Sequence, residues 1–377
     1  MKVIHFKTTY LNLSETFINR LVRNHKSFEP IIATAFKKQY LDGLNIYEMP
    51  KSGISGLLNR MQLMFNKSPA FLDSLIQKEK PSVIHGHFAL DSYRLISAAS
   101  RNKIPLIVNF YGYDVIRLPK EFGWQSRYKR LIEKADHCIA GSQDMKDNLM
   151  ALGFPESRIE IIKLGMDMDS IRFEHRAKAG LNLMMVGRMV EKKGFEYAIK
   201  AISILKEQNY QVHLDLFGDG PLQTSLRELS LKLNVEKEIT FRGTTGNEDI
   251  VKELYNHDSL LVPSVQAADG DREGIPQTIV EGMASGIPII GSTHAGIPEL
   301  IEDRVTGLLV RERDADNLAR SVVSLYENPE LVSLISKNGR EKVVRNHCIH
   351  ELVNKTELLY DKVIQKYYGN KKVMHKI

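Results

Sequence analysis

Short apolar, β-branched runs alternate with helically periodic stretches along almost the whole chain. The first runs are Lys2–His5, Pro30–Thr34, Val83–His85, Leu106–Phe110, His137–Gly141 and Ile159–Ile162. Between them, stretches such as Thr16–Asn24 and Ser92–Arg101 carry apolar residues at helical spacing. This alternation predicts a parallel sheet wrapped by helices, because parallel strands need crossovers and helices supply them. The pattern pauses over residues 166–179 (MDMDSIRFEHRAKA), a polar stretch that reads as a linker. A second series then runs through Leu181–Val186, Val212–Phe217, Glu238–Phe241, Ser259–Pro263, Pro288–Gly291 and Gly307–Val310. Two such series imply two doubly wound α/β domains, expected at residues 1–170 and 176–350. Glu351–Lys366 has the period of an amphipathic helix, and residues 351–377 are expected to join the first domain. The basic tail Gly369–Ile377 is expected to fray.

Length agrees with two domains, since 377 residues exceed what one core ordinarily organises. A net charge of +6 suits nucleic acid, an anionic membrane surface or an anionic substrate. No zinc-finger spacing and no RNP-like strand occurs, so nucleic acid is not expected as a partner. The two cysteines, Cys138 and Cys348, are far apart and lack metal-ligand spacing. A reducing, cytoplasmic compartment is the expectation, with no disulfide framework and no zinc site. The amino terminus reads as a first strand, without the apolar run of a signal peptide.

Four constellations carry candidate chemistry. The first is Gly187-Arg188, after the run Leu183–Val186, followed by Lys193-Gly194. Two cations beside a helix start suit a diphosphate, and arginine can grip it in a bidentate fashion. A solvated basic turn would explain the same residues, since Lys192 also lies there. The second is Gly218-Asp219-Gly220-Pro221, an incomplete dinucleotide fingerprint with Gln223 at the third glycine position. A turn and helix cap is the favoured reading there.

The third is the loop Asp269-Gly270-Asp271-Arg272-Glu273-Gly274-Ile275-Pro276, running into a helix that holds Glu281. Glu273 is placed to face a sugar, and Glu281 to accept hydrogen bonds from ribose hydroxyls. An acidic helix start explains Glu273 equally well, but not Glu281, which interrupts an apolar helix and is expected to be buried. Asp269 and Asp271 have the D-x-D spacing of a divalent-metal site. Arg188 and Lys193 already supply positive charge, so no metal and no cofactor is expected. The fourth group comprises His85-Gly86-His87 and Tyr111-Gly112-Tyr113-Asp114, each at the end of a predicted strand. His85 and His87 are expected to point opposite ways along the extended segment, which argues against a two-histidine metal site.

Together, Gly187-Arg188-x4-Lys193-Gly194 and Glu273-Gly274-Ile275-Pro276-x4-Glu281-Gly282 resemble the retaining glycosyltransferases of family 4, which have the GT-B fold. Pro263-Ser264, Thr293–Glu299 and Gly307–Val310 fall in that family's order. Ser14-Glu15-Thr16-Phe17 and Ala267–Asp271 are similar to its bacterial exopolysaccharide branch, including colanic-acid-type enzymes. The resemblance implies two Rossmann-like domains facing a cleft and hexosyl transfer from a UDP- or GDP-linked sugar. The acceptor it implies is lipid-linked or an oligosaccharide. It assigns Arg188 and Lys193 to the diphosphate, Glu273 to the donor sugar and Glu281 to the ribose. Gly187, Gly243, Gly274, Ile275 and Pro276 complete the implied donor site. Glu15, Thr16, His87, Tyr111 and Asp114 are the acceptor-side candidates. Tyr111 stands where many members carry a histidine. A nucleotide-sugar epimerase and a non-catalytic glycan- or nucleotide-binding protein remain as alternatives on this architecture.

One further feature is a helical stripe of Ile54, Leu57, Leu58, Met61, Met64 and Phe65, with Lys51, Arg60 and Lys67 around it. Such a face either packs on the first domain's sheet or lies on an anionic membrane surface.

Overall fold

The computed structural model describes residues 1–10, 15–38 and 43–374, and it divides into two compact units. Ser14 and residues 375–377 of the basic tail lie outside the described residues. Unit 1 comprises Met1–Gly165 and Ile349–Ile377, and unit 2 comprises Met166–Cys348.

Unit 1 holds seven parallel strands: β1 (Lys2–Tyr10), β2 (Glu29–Lys37), β3 (Asn45–Glu48), β4 (Val83–His87), β5 (Leu106–Asn109), β6 (His137–Ala140) and β7 (Ile159–Ile161). Their order is β3-β2-β1-β4-β5-β6-β7. The edge strand β3 is short and half-exposed, and its sequence NIYE lacks the apolar run that marks the others. Strand β4 is buried along its whole length, as expected where helices cover both faces of a parallel sheet. Ile4, Phe6, Ile84, Leu95, Val108 and Leu131 are fully buried in its main core. Each such side chain contributes roughly 1.5–3 kcal/mol.

Unit 2 repeats the scheme with β8 (Asn182–Val186), β9 (His213–Phe217), β10 (Ile239–Gly243), β11 (Ser259–Val262), β12 (Ile289–Ser292) and β13 (Leu308–Val310). The order is β10-β9-β8-β11-β12-β13, all parallel. Both units are therefore doubly wound sheets. Strand order reverses between β1 and β4 in unit 1 and between β8 and β11 in unit 2.

Two sequence expectations need correction. The stretch 166–179 is irregular, but Met166, Met168 and Ile171 are buried in a core of unit 2. Its apolar members are spaced too widely to show as a run, so a packed segment resembles a linker. The tail is also more regular than expected as far as it is described, because the final helix runs from Ile349 to Met374.

The stripe of apolar residues lies on the helix Gly53–Met64. Gly56, Asn59 and Leu63 face the protein, while Ile54, Leu57, Leu58, Met61, Met64 and Phe65 are all exposed. Among the described residues no helix is long and apolar enough to cross a membrane.

Candidate active site

In open α/β sheets, ligand sites form beyond the carboxyl ends of strands where the strand order reverses. In unit 2 the loops leaving β8 and β11 carry the candidate donor residues. Glycine lets these loops close on each other. Gly194 has φ +74°, and a Cβ there would lie 1.9 Å from the Pro263 carbonyl oxygen. The Val265 N–H donates to the Lys192 carbonyl (2.9 Å), and the Ala268 N–H donates to Glu191 Oε1 (3.0 Å). The Gly218–Pro221 turn packs against the same place. A Cβ on Gly218, at φ +127°, would lie 1.9 Å from the Gly187 carbonyl oxygen. That is a close-packing turn, in keeping with the favoured reading of this motif.

The resulting charge pattern is specific. Lys193 Nζ lies 2.9 Å from Glu273 Oε1, with both side chains largely out of water. Gly187 leaves room for the Lys193 stem, because a Cβ there would come within 3.2 Å of it. Burial works against charge on Glu273, but the nearby Lys193 and Lys192 outweigh it and hold the carboxyl below its usual range. Glu273 is therefore a buried, ionised carboxylate. Arg188 is exposed and has no ion-pair partner among the described residues. It is the free cation of the pair that the sequence singled out.

Lys192 has a different task. Its Nζ lies 3.1 Å from Asp271 Oδ2 and donates to the Arg272 carbonyl (3.2 Å). Asp269 Oδ1 accepts the Asp271 N–H at 2.9 Å. The D-x-D pair thus shapes its own loop, and Asp271 is already neutralised by a lysine.

Glu281 lies within the helix Gln277–Ser285 and is 3% exposed. Asn247 Nδ2 donates to its Oε1 at 3.0 Å. Beside it in sequence, Pro276 precedes the helix and Gln277 is its first residue; both carboxamide atoms of Gln277 are buried without partners. Gly274 and Ile275 line the approach to this helix, where a Cβ on Gly296 would meet Ile275 Cδ1 at 2.5 Å. Gly243 ends β10 with φ +73° and open space around its Cα.

Several contributing residues were not singled out by sequence. His294 is buried; its Nδ1–H donates to Glu312 Oε1 (2.7 Å), and its Nε2 accepts the Glu273 N–H (3.2 Å). The pair holds the Glu273 backbone in place. Glu312 in turn accepts the Gln266 N–H at 2.9 Å. Asn247 and Gln277 belong with them. No spacing links 273, 294 and 312, which meet only through space, and none links 247 to 281. The one available signal was a histidine inside the conspicuous run Thr293–Glu299.

In unit 1 the candidates separate into two groups. Glu15 and Thr16 open the helix Thr16–Arg23. Lys7 Nζ lies 3.4 Å from Glu15 Oε1 and 3.3 Å from Asp91 Oδ2. Asp114 is buried and serves the backbone. Its Oδ1 accepts the Tyr111 and Gly112 N–H groups (2.9 and 3.1 Å), and its Oδ2 accepts the Ala89 N–H (3.0 Å). Burial raises its pKa to about 6, against the pull of those N–H bonds. His87 and Tyr111 are partners, with Nδ1 and the hydroxyl oxygen 2.7 Å apart. Burial keeps the Tyr111 hydroxyl protonated far above its ordinary range.

The expected orientation of His85 and His87 is wrong. Residues two apart on a strand share one face. Their rings accordingly lie together, with centroids 4.5 Å apart.

Comparisons with known proteins bear on this geometry. Residues 167–342 match the family described as glycosyl transferases group 1, and residues 25–170 match glycosyltransferase family 4. The chain is 35% identical over 264 residues to the putative colanic acid biosynthesis glycosyltransferase WcaL of Escherichia coli (strain K12), covering 68% of this chain and 63% of that protein. It is 33% identical over 236 residues to the amylovoran biosynthesis glycosyltransferase AmsK of Erwinia amylovora, covering 62% of this chain and 58% of that one. The chain therefore spans about three fifths of the length of these relatives. Among solved structures, HepE of Anabaena in complex with UDP and glucose superposes with a TM-score of 0.79 at 16% identity, covering 96% of this chain and 99% of that one. Sucrose-phosphate synthase of Thermosynechococcus elongatus gives 0.77 at 17% identity, covering 97% and 100%. At such identities these two matches establish the shared GT-B fold.

Proposed function

The chain belongs to the family 4, group 1 glycosyltransferases, and from that premise we propose that it moves a hexosyl unit from a nucleoside-diphosphate sugar to a lipid-linked or glycan acceptor, with retention and without a metal ion. The acceptor belongs to the assembly of a cell-surface polysaccharide, as the names of WcaL and AmsK suggest for those relatives. The observation that carries the reading is the buried Glu273 carboxylate with Lys193 at 2.9 Å, beside an exposed and unpaired Arg188 where unit 2 reverses its strand order.

Each residue then has a task its setting suits. Arg188 and Lys193 meet the negative charge that develops on the departing diphosphate, which lowers the barrier electrostatically. Glu273 accepts hydrogen bonds from the donor sugar. Glu281 and its neighbour Gln277 offer buried polar atoms to the ribose and diphosphate. Arg188 and Lys193 together take the place of a divalent ion, and the pairing of Asp271 with Lys192 supports that reading. A solved relative was captured with UDP-glucose, which supports a donor of this class.

Docking to the inner face of an anionic membrane fits the same reading. Ile54, Met64 and Phe65 are 89%, 70% and 63% exposed on the helix Gly53–Met64, a costly display unless a lipid surface covers it. Arg60 and Lys51 flank that face, and each basic residue near an anionic surface adds about 1 kcal/mol. Flotation with anionic vesicles at low salt checks this, and a Leu58→Ser/Met61→Ser protein should float poorly while melting as wild type does.

The direct assay incubates the protein with labelled UDP- and GDP-sugars, with and without a membrane-lipid extract. Acceptor-dependent release of the nucleoside diphosphate with label entering glycan or lipid is the expected outcome. An isomerised nucleotide sugar formed without acceptor would identify an epimerase instead. Binding without turnover in any arm would identify a non-catalytic protein.

A further inference from the structure

Three buried histidines of unit 1 are joined end to end, and the proposed transfer leaves them without a task. His25 Nδ1 lies 3.0 Å from Glu357 Oε1 on the final helix. His25 Nε2 lies 3.0 Å from His5 Nε2, and His5 Nδ1 lies 3.0 Å from His87 Nε2. His87 Nδ1 lies 2.7 Å from the Tyr111 hydroxyl.

The direction of this chain follows from its anchor. An ionised carboxylate only accepts, and a neutral imidazole carries one N–H. Glu357 Oε1 also accepts the backbone N–H groups of Lys26, Ser27 and Phe28 (2.8, 3.0 and 3.2 Å), so it is fixed as an acceptor. These donors, with His25, hold its carboxyl below the usual range despite burial. His25 must then donate from Nδ1, which leaves its Nε2 bare. His5 donates to it from Nε2, His87 donates to His5 from Nε2, and the Tyr111 O–H donates to His87 Nδ1. Burial lowers the pKa of all three imidazoles, of His5 and His87 most strongly, and so works against the charge that would break the sequence.

We infer that Glu357 is a positioning residue acting through His25, His5 and His87 to commit the Tyr111 hydroxyl hydrogen inward, leaving the Tyr111 oxygen as an acceptor for a hydroxyl group bound by unit 1. Tyr111 sits just beyond the end of β5, its ring packed between Phe17 and Phe88, and it keeps partial exposure. The identity of the hydroxyl, on donor sugar or acceptor glycan, rests on the proposed function; the relay itself does not.

A metal ion is the competing account of the same residues. His5, His85 and His87 bring nitrogens within 4.8 Å of one another, and His85 Nε2 is buried without a partner. An ion of the zinc class needs lone pairs converging on a point about 2.0–2.1 Å from each nitrogen. His5 and His87 aim at each other instead. Their centroids are 5.2 Å apart, close to the 3.0 Å contact plus a ring radius at each end. His5 and His25 repeat this at 5.1 Å with a 3.0 Å contact. Nitrogens in line at that distance share a proton and leave no place for a metal between them.

The test is imidazole 15N NMR on the full chain without substrate, so its outcome is separate from whether the protein transfers sugar. Wild type should show His25 protonated on Nδ1, and His5 and His87 on Nε2. Glu357→Gln should keep this pattern, because a carboxamide oxygen can occupy the Oε1 position. His25→Leu should turn His87, two hydrogen bonds away, into a mixture of tautomers, an effect that a mere packing role would not transmit. Protonation of wild-type His87 on Nδ1 overturns the relay, as do histidine shifts on dialysis against EDTA. An unchanged His87 in a folded His25→Leu protein overturns it too. Should that variant fail to fold, the wild-type tautomers alone decide.

Discussion

Replacing Lys193 with methionine keeps the length of the stem and removes the ammonium. Two charges 2.9 Å apart attract by about 6 kcal/mol at an effective dielectric of roughly 20, before desolvation is counted. Desolvation cancels much of that, and removing one member of a fully buried pair costs about 3–5 kcal/mol. Here the side chains are 20% and 9% exposed and Lys192 remains nearby, so about 2–4 kcal/mol is expected. For a unit of this size that lowers its melting transition by about 4–16 °C, as followed by calorimetry. The pH dependence adds a check. Glu273 has a depressed pKa in the folded protein, so its contribution is present above its unfolded value near 4.3 and is lost as pH falls through the folded one. The gap between variant and wild type should therefore be open at pH 7 and close under acid. Adding Glu273→Gln removes the stranded charge and should restore most of the stability. Turnover should stay at least about a hundredfold down in both proteins, as for loss of a preorganised transition-state donor. Near-normal melting and turnover in Lys193→Met would exclude a coupled Lys193–Glu273 pair, and so would a double variant whose losses simply add.

Other consequences follow from the same geometry. Glu281→Ala should weaken nucleotide binding by about ten- to a hundredfold in calorimetric titration, the scale of a hydrogen bond to a charged group, while Glu273→Gln should act mainly on turnover; equal effects on affinity would contradict that division. Transfer should persist in excess chelator, whereas a loss restored by magnesium or manganese would make Asp269 and Asp271 ligands after all. Acid should destabilise unit 1 early. Burial holds His5, His25, His85, His87 and His137 below the ordinary imidazole value, His85 at about 3 and His137 at about 4. Their contribution is present above about 6.5 and falls as pH drops below it, by at most about 1.4 kcal/mol per unit for each histidine. Asp114, raised to about 6, works the other way as one group against five. Denaturant midpoints between pH 7 and 5 check this, and a flat profile would contradict it.

The sheet architecture was legible because buried parallel strands leave apolar runs, and twelve of them stand out between helical stretches. β3 was not, because a half-exposed edge strand needs no such run. Glu281 was legible as a charge that an apolar helix has no reason to hold. Arg188, Lys193 and Glu273 were legible through their spacing and their family resemblance. What stayed hidden depends on contacts across the sheet. His294 and Glu312 act on Glu273 through space, and Lys192 looked like part of a solvated turn until Asp271 was found beside it. The histidines show this most clearly. His5, His25 and Glu357 lie far apart in sequence and meet because β1 and the final helix do. For His85 and His87 the needed information was present, since residues two apart on a strand share a face, and the expectation misread it.

The claim that unit 2 is built for a nucleoside diphosphate is tested most directly by ligand-induced stabilisation. A thermal-shift panel of UDP, GDP and ADP on wild type and Arg188→Ala uses only what the site contains, since a ligand bound to the native state alone raises apparent stability. One nucleotide should raise the melting temperature of wild type, by about 2.7 kcal/mol of stability at a hundredfold excess over its Kd. Arg188 is exposed and unpaired, so Arg188→Ala should melt like wild type without ligand and lose most of that increment. A panel in which no nucleoside diphosphate stabilises the wild-type protein, or in which Arg188→Ala responds as wild type does, would mean that unit 2 does not hold a nucleoside diphosphate through Arg188.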